Sequence, residues 1–151
     1  MIPFYLKDIT ILYVEDDKGF REVFSKLLKE EVKDVYSAKD GLEGYHLFKE
    51  HRPDIIITDI MMPSTNGIDM ARKIREEDEF IPIVITSASS DKSYLESTLD
   101  IGVSGYMNKP INFKKLLELL SAITKILQLE DEKEAHKKIL EERFNMKRLL
   151  V

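Results

Sequence analysis

Five short apolar runs rich in β-branched residues alternate with segments of helical period along this chain. That alternation, the short connections, and one run of three consecutive isoleucines predict an α/β fold. The expected architecture is a parallel sheet with helices on both faces, joined by right-handed crossovers. The isoleucines, Ile55 to Ile57, form the continuous apolar run expected of a strand covered on both sides.

The first strand is read at Ile9 to Val14, ahead of a helix whose apolar residues are Phe20, Val23, Phe24, Leu27 and Leu28. These recur at i, i+3, i+4, i+7 and i+8, which places them on one helical face. Val32 to Tyr36 is a weaker second strand. Asp40 is positioned to cap a second helix carrying Leu42, Tyr45 and Phe48. After the isoleucine strand, Asn66-Gly67 marks a turn, and Ile68, Ala71 and Ile74 give a third helical stripe. Pro82 to Thr86 is the fourth strand, with Leu95 and Leu99 on a short helix after it. Val103 to Met107 is the fifth, stopped by Pro110. A last helix opens near Asn112 and carries Leu116, Leu117, Leu119, Leu120, Ile123 and Leu127. No Pro or Gly interrupts the chain beyond it, so this helix is free to continue through the mixed-charge segment from Glu130.

Composition narrows the function. The 151 residues suit one domain with one core. A net charge of −5 supplies no basic field for nucleic acid. With no cysteine, a disulfide scaffold, a thiolate metal site and a thiol nucleophile are all excluded. No apolar run is long enough to span a bilayer, and Met1 to Asp8 lacks the apolar stretch of a secretory signal. A cytoplasmic protein is the expectation.

Ligand sites in open α/β sheets form at the carboxyl ends of the strands. Here the first strand ends in Glu15-Asp16-Asp17, the third in Thr58-Asp59, the fourth in Thr86-Ser87, and the fifth runs into Lys109-Pro110. Clustered carboxylates repel one another unless a cation compensates. A hard divalent ion with oxygen ligands answers that need, and Mg²⁺ suits one or two carboxylates plus a phosphate. The lysine and a hydroxyl would bind anionic oxygens that the metal does not reach. Together these parts describe phosphoryl transfer to an aspartate. Asp17 is read as the first-turn residue or the N-cap of the first helix. His46, His51 and His136 fall outside any ligand spacing.

Three motifs now bear on the family: Ile-Leu-Tyr-Val-Glu-Asp-Asp at 11–17, Ile-Ile-Ile-Thr-Asp-Ile-Met-Met-Pro at 55–63, and Gly-Tyr-Met-Asn-Lys-Pro at 105–110. In order and spacing the chain from about Ile9 to about Leu127 resembles the receiver domain of two-component response regulators. The resemblance implies a flavodoxin-like fold with strand order 2-1-3-4-5. It makes Asp59 the phosphoacceptor, Asp16 a direct Mg²⁺ ligand, and Glu15 a ligand through water. The backbone carbonyl of Met61 would complete the protein ligands. Lys109 would contact the phosphoryl group, and Pro110 would follow a cis peptide. Thr86 and Ser87 both present a switch hydroxyl; matching the Ser-Ala pair to the family's Thr-Ala pair selects Ser87. Tyr106 would be the aromatic that follows it. Met61 and Ser89 flank the expected path of hydrolytic water without a carboxylate or amide, which implies a long-lived phosphoaspartate.

The implied partner is a sensor histidine kinase, with a small phosphodonor as an alternative source. The implied output is binding or dimerisation on the face of the fourth helix, fifth strand and last helix. Two other functions are weighed. A haloacid-dehalogenase-type phosphatase would want a second aspartate two residues after its nucleophile, where Met61 stands. A phosphorylation-independent pseudo-receiver would not need the intact Glu15, Asp16, Asp59 and Lys109. Residues 1–127 are therefore read as the receiver. Residues 128–151 are read as a helical extension: either a dimerisation helix or a linker to an absent output domain. The extension carries six acidic and six basic residues from Glu130 onward, and its apolar residues hold no heptad frame.

Overall fold

The structure, a computed structural model, describes residues 5–62, 66–88 and 92–149. Its strands are β1 (Thr10–Val14), β2 (Asp34–Ala38), β3 (Ile55–Asp59), β4 (Ile83–Ser87) and β5 (Gly105–Asn108). Its helices are α1 (Lys18–Lys29), α2 (Gly41–His51), α3 (Gly67–Glu77), α4 (Lys92–Ile101) and α5 (Phe113–Leu149). All five strands are parallel, in the order β2-β1-β3-β4-β5. This is the flavodoxin-like arrangement, in which strand order reverses beside β1 and β3 and opens a crevice at their carboxyl ends.

Alternation along the strands sends residues to two separate cores. Leu12, Val14, Ile56, Ile83 and Ile85 pack with α2 and α3 on one face. Ile11, Tyr13, Ile55, Ile57 and Val84 pack with Leu28 of α1 and Leu116, Leu120 and Ile123 of α5 on the other. The three consecutive isoleucines are fully buried because each face has its own helical cover.

Short polar side chains start four of the helices. Asp17 accepts the Phe20 N–H at 2.9 Å, and Asp40 accepts the Glu43 N–H at 2.8 Å. Asn66 accepts the Ile68 N–H at 2.7 Å, and Asn112 accepts the Lys115 N–H at 3.1 Å. Each satisfies a donor that the first turn leaves orphaned.

Helix faces depart from the sequence pattern at three places. In α1 the buried positions are Ser25 and Leu28, whereas Phe20, Val23 and Leu27 are exposed. The contact line is rotated by roughly a quarter turn from the apolar stripe, so most of that stripe looks outward. In α2 the contact line is Gly41, Gly44 and Phe48, and Leu42 is exposed. Gly44 explains this, since a Cβ there would press on Val14 and Met70. In α4 it is Thr98, not Leu99, that is buried; Leu95 lies outside the residues whose side chains are described. Strands β2 and β5 also begin two residues later than Val32 and Val103.

Arg75 ties α3 to the end of α4. Its Nε donates to the Ile101 carbonyl at 2.9 Å and its Nη2 to that of Gly102 at 3.0 Å. Its Nη1 donates to the carbonyls of Ile81 at 2.6 Å and Asp78 at 3.2 Å. Helix α5 runs unbroken from its packed turns into an exposed segment beyond Gln128. Among the described residues, no helix is long and apolar enough to cross a membrane.

Candidate functional site

The crevice at the strand ends gathers what the sequence placed there. One carboxylate oxygen from each of Glu15, Asp16 and Asp59 lies within 4.8 Å of the others. The Lys109 ammonium donates to both oxygens of Glu15 and to Asp59 Oδ2, each at 2.9 Å. Asp59 Oδ1 accepts the Ile60 N–H at 2.8 Å. Lys109 reaches inward from the loop after β5, where the Lys109–Pro110 peptide is cis and the Lys109 N–H donates to the Ser87 carbonyl at 2.8 Å.

Three carboxylates against one ammonium leave a formal excess of two negative charges when all are ionised. A hard divalent cation with oxygen ligands matches that donor set in charge and chemistry. Burial pushes the Glu15 carboxyl up to about 7, and the Asp59 charge adds to the rise while Lys109 opposes it. Burial would by itself lower the Lys109 ammonium, but its hydrogen bonds to Glu15 and Asp59 reverse that and hold it above its usual value. Tyr13, buried beneath the cluster, has its phenol raised by burial and by the Glu15 charge.

Two positioning residues were not recognised from the sequence. Arg21, one turn into α1, donates from Nη1 to the carbonyls of Glu15 at 2.8 Å and Asp16 at 3.2 Å. It holds the acidic turn against the helix. Gly67 opens α3 directly against β3: its N–H donates to the Ile60 carbonyl at 2.9 Å, and a Cβ there would run into the Asp59 carbonyl. The Asn66-Gly67 pair signalled a turn, but only the packed fold reveals how closely this glycine approaches Asp59.

The remaining predicted residues fall around this centre. Ser87 is fully buried, one residue beyond the Asp59–Thr86 register pair. Tyr106 pairs with Ile85 and packs, half-buried, on the α2–α3 side. Since Ser87 is two residues from Ile85, the Ser87 and Tyr106 side chains share a face of the sheet. Met61, two residues past Asp59, has an exposed side chain. Asp17 is taken up by its helix cap, and Ser89 lies outside the described residues.

A doubly wound sheet with an acidic triad and an inward lysine at its switch point defines a signalling receiver class of α/β protein. Comparison with known sequences agrees, since the response regulator receiver domain family matches residues 11–121. The chain belongs to this family and is a receiver domain of two-component signalling. Response regulator MprA of Mycobacterium ulcerans (strain Agy99) is 32% identical over 127 residues, covering 84% of this chain and 55% of that protein. The chain thus spans about half the length of the curated relatives it matches. Among solved structures, the N-terminal domain of an uncharacterized protein from Wolinella succinogenes is 36% identical with a TM-score of 0.76, covering 82% of this chain and 98% of that one. The chemotaxis protein CheY4 of Vibrio cholerae is 27% identical with a TM-score of 0.71, covering 75% and 96%.

Proposed function

We propose that this chain is a phosphorylation-driven switch in which Asp59 accepts a phosphoryl group from the phosphohistidine of a sensor histidine kinase in the cytoplasm. The observation that carries this reading is the three-way contact of Lys109 with Glu15 and Asp59, which aims an ammonium where phosphoryl charge would develop. An Asp59 carboxylate oxygen forms the new P–O bond in line as the P–N bond to the donor imidazole breaks. The electron pair returns to that nitrogen, which then takes up a proton. Asp16 and Asp59 would hold Mg²⁺ directly with the Met61 carbonyl, and Glu15 would do so through water. When bound, the ion supplies positive charge for the transferring oxygens. Lys109 then exchanges Asp59 for the phosphoryl group, and the buried side chain of Ser87 moves toward it. Tyr106, on the same face, fills the space released, and this biases the α4–β5–α5 face.

Docking of the kinase falls to α1. Its exposed Phe20, Val23 and Leu27 form an apolar stripe beside the site, and Phe20 joins Lys109 and Pro110 around a small cavity at its edge. Such a stripe fits a partner helix. Residues 1–127 form the receiver in this reading. Residues 128–151 form an extension, helical as far as Leu149, that serves self-association or joins a further domain.

Beryllofluoride with Mg²⁺ mimics the acyl phosphate and tests the switch. Wild type should bind it and acetyl phosphate should add one phosphoryl mass, while Asp59→Ala should do neither. Ser87→Ala should bind but lose the dependent association. An equal response in Asp59→Ala would sink the proposal.

A further inference from the structure

Consecutive residues of β4 bring two hydroxyls to this site, and they face opposite ways. Ser87 lies on the Tyr106 side. Thr86 pairs in register with Asp59 on β3 and Met107 on β5, so its side chain lies on the same face as the Asp59 carboxylate. Thr86 is fully buried, and its hydroxyl has no hydrogen-bond partner among the described residues. Buried threonines elsewhere do find acceptors: Thr58 donates to the Asp59 carbonyl at 3.0 Å and Thr124 to the Leu120 carbonyl at 2.7 Å. A valine would fill the Thr86 position with the same shape and no unsatisfied donor. The hydroxyl therefore costs stability in this state without a visible return.

Its location suggests where the return lies. Neighbouring strands run about 4.8 Å apart, so a rotamer change at Thr86 brings its hydroxyl within reach of the adjacent carboxylate. In this structure both Asp59 oxygens are engaged, one by the Ile60 N–H and one by Lys109. Transfer of Lys109 to a phosphoryl group would leave this carboxyl with one protein donor fewer.

We infer that Thr86 is a positioning residue for the phosphorylated state, its hydroxyl replacing Lys109 as the donor to the carboxyl of Asp59. The inference rests on the phosphoacceptor reading of Asp59. It gives the two hydroxyls separate tasks: Ser87 serves the phosphoryl oxygens and Thr86 serves the carboxyl that carries them.

The test measures beryllofluoride binding at saturating Mg²⁺, together with melting temperature in its absence, for wild type, Thr86→Val and Thr86→Ser. Thr86→Val should melt about 2–5 °C higher without beryllofluoride, because an orphan donor is removed. It should also bind beryllofluoride about three- to tenfold more weakly, whereas Thr86→Ser should bind within about twofold of wild type. Equal affinity of wild type and Thr86→Val would overturn the inference and leave the phosphoacceptor reading standing. Failure of wild type itself to bind would overturn both. A loss in Thr86→Ser as large as in Thr86→Val would assign the effect to the missing methyl contacts and reject the hydroxyl's role.

Discussion

Asp59 is held from two directions: Lys109 fixes one carboxylate oxygen, and the start of α3 fixes its backbone through Gly67. The second constraint is steric, so it predicts a large effect from a small substitution. Gly67→Ala should destabilise the fold by about 1–3 kcal/mol, because the methyl group and the Asp59 carbonyl cannot occupy the same space. It should also weaken beryllofluoride binding, since relief requires β3 and α3 to part where Asp59 sits. Chemical denaturation and a binding titration check this; unchanged values in both would refute the confinement of Asp59. At this scale the sequence was highly informative about the charged groups, because their chemistry and strand-end placement are both readable. Arg21 and Gly67 were missed because they act through backbone carbonyls, which carry no sequence signature.

Among the elements, α3 and α4 are coupled most specifically by the Arg75 guanidinium, which serves carbonyls at the end of α3, at the end of α4 and at Ile81 ahead of β4. Burial lowers its pKa, yet it remains charged, and charge-assisted bonds of this kind exceed neutral ones in strength. Arg75→Met should cost about 2 kcal/mol of stability. It should also speed amide exchange in the last turn of α4 and at Gly102 to Ser104; exchange rates matching wild type would show that α4 is held by other contacts. Element order and type were legible from hydrophobic period, but helix orientation was only partly so. The apolar stripe of α1 gives Leu28 and part of Phe24 to the core but leaves Phe20, Val23 and Leu27 exposed, because a helical period does not say which edge of a stripe packs. Glycine at position 44 shifted α2 in a comparable way, by permitting a close approach that a hydrophobic count ignores.

For the whole molecule, the raised Glu15 carboxyl links stability to pH and to metal. Its folded pKa of about 7 lies above the ordinary value of 4.5, so it contributes stability below about pH 4.5 that is lost as pH rises toward 7. Relative to Glu15→Gln, wild type should lose about 2–3 kcal/mol between pH 5 and 8 without metal. Mg²⁺ should recover much of this at pH 8 and little at pH 5.5, because it binds the ionised carboxylates. Melting curves across that range check the sign; a Mg²⁺ effect independent of pH would contradict the link. The sheet order followed from the family motifs, while the continuity of α5 was legible only as the absence of a breaker. That continuity has a mechanical consequence. Beyond Gln128 the helix runs 21 residues to Leu149, a rod of about 30 Å whose near end is bolted to the sheet by Leu116, Leu120 and Ile123. A tilt of ten degrees in those packed turns would sweep the far end through about 5 Å. Small rearrangements around Tyr106 and α5 would thus be magnified as a lever magnifies the motion at its fulcrum.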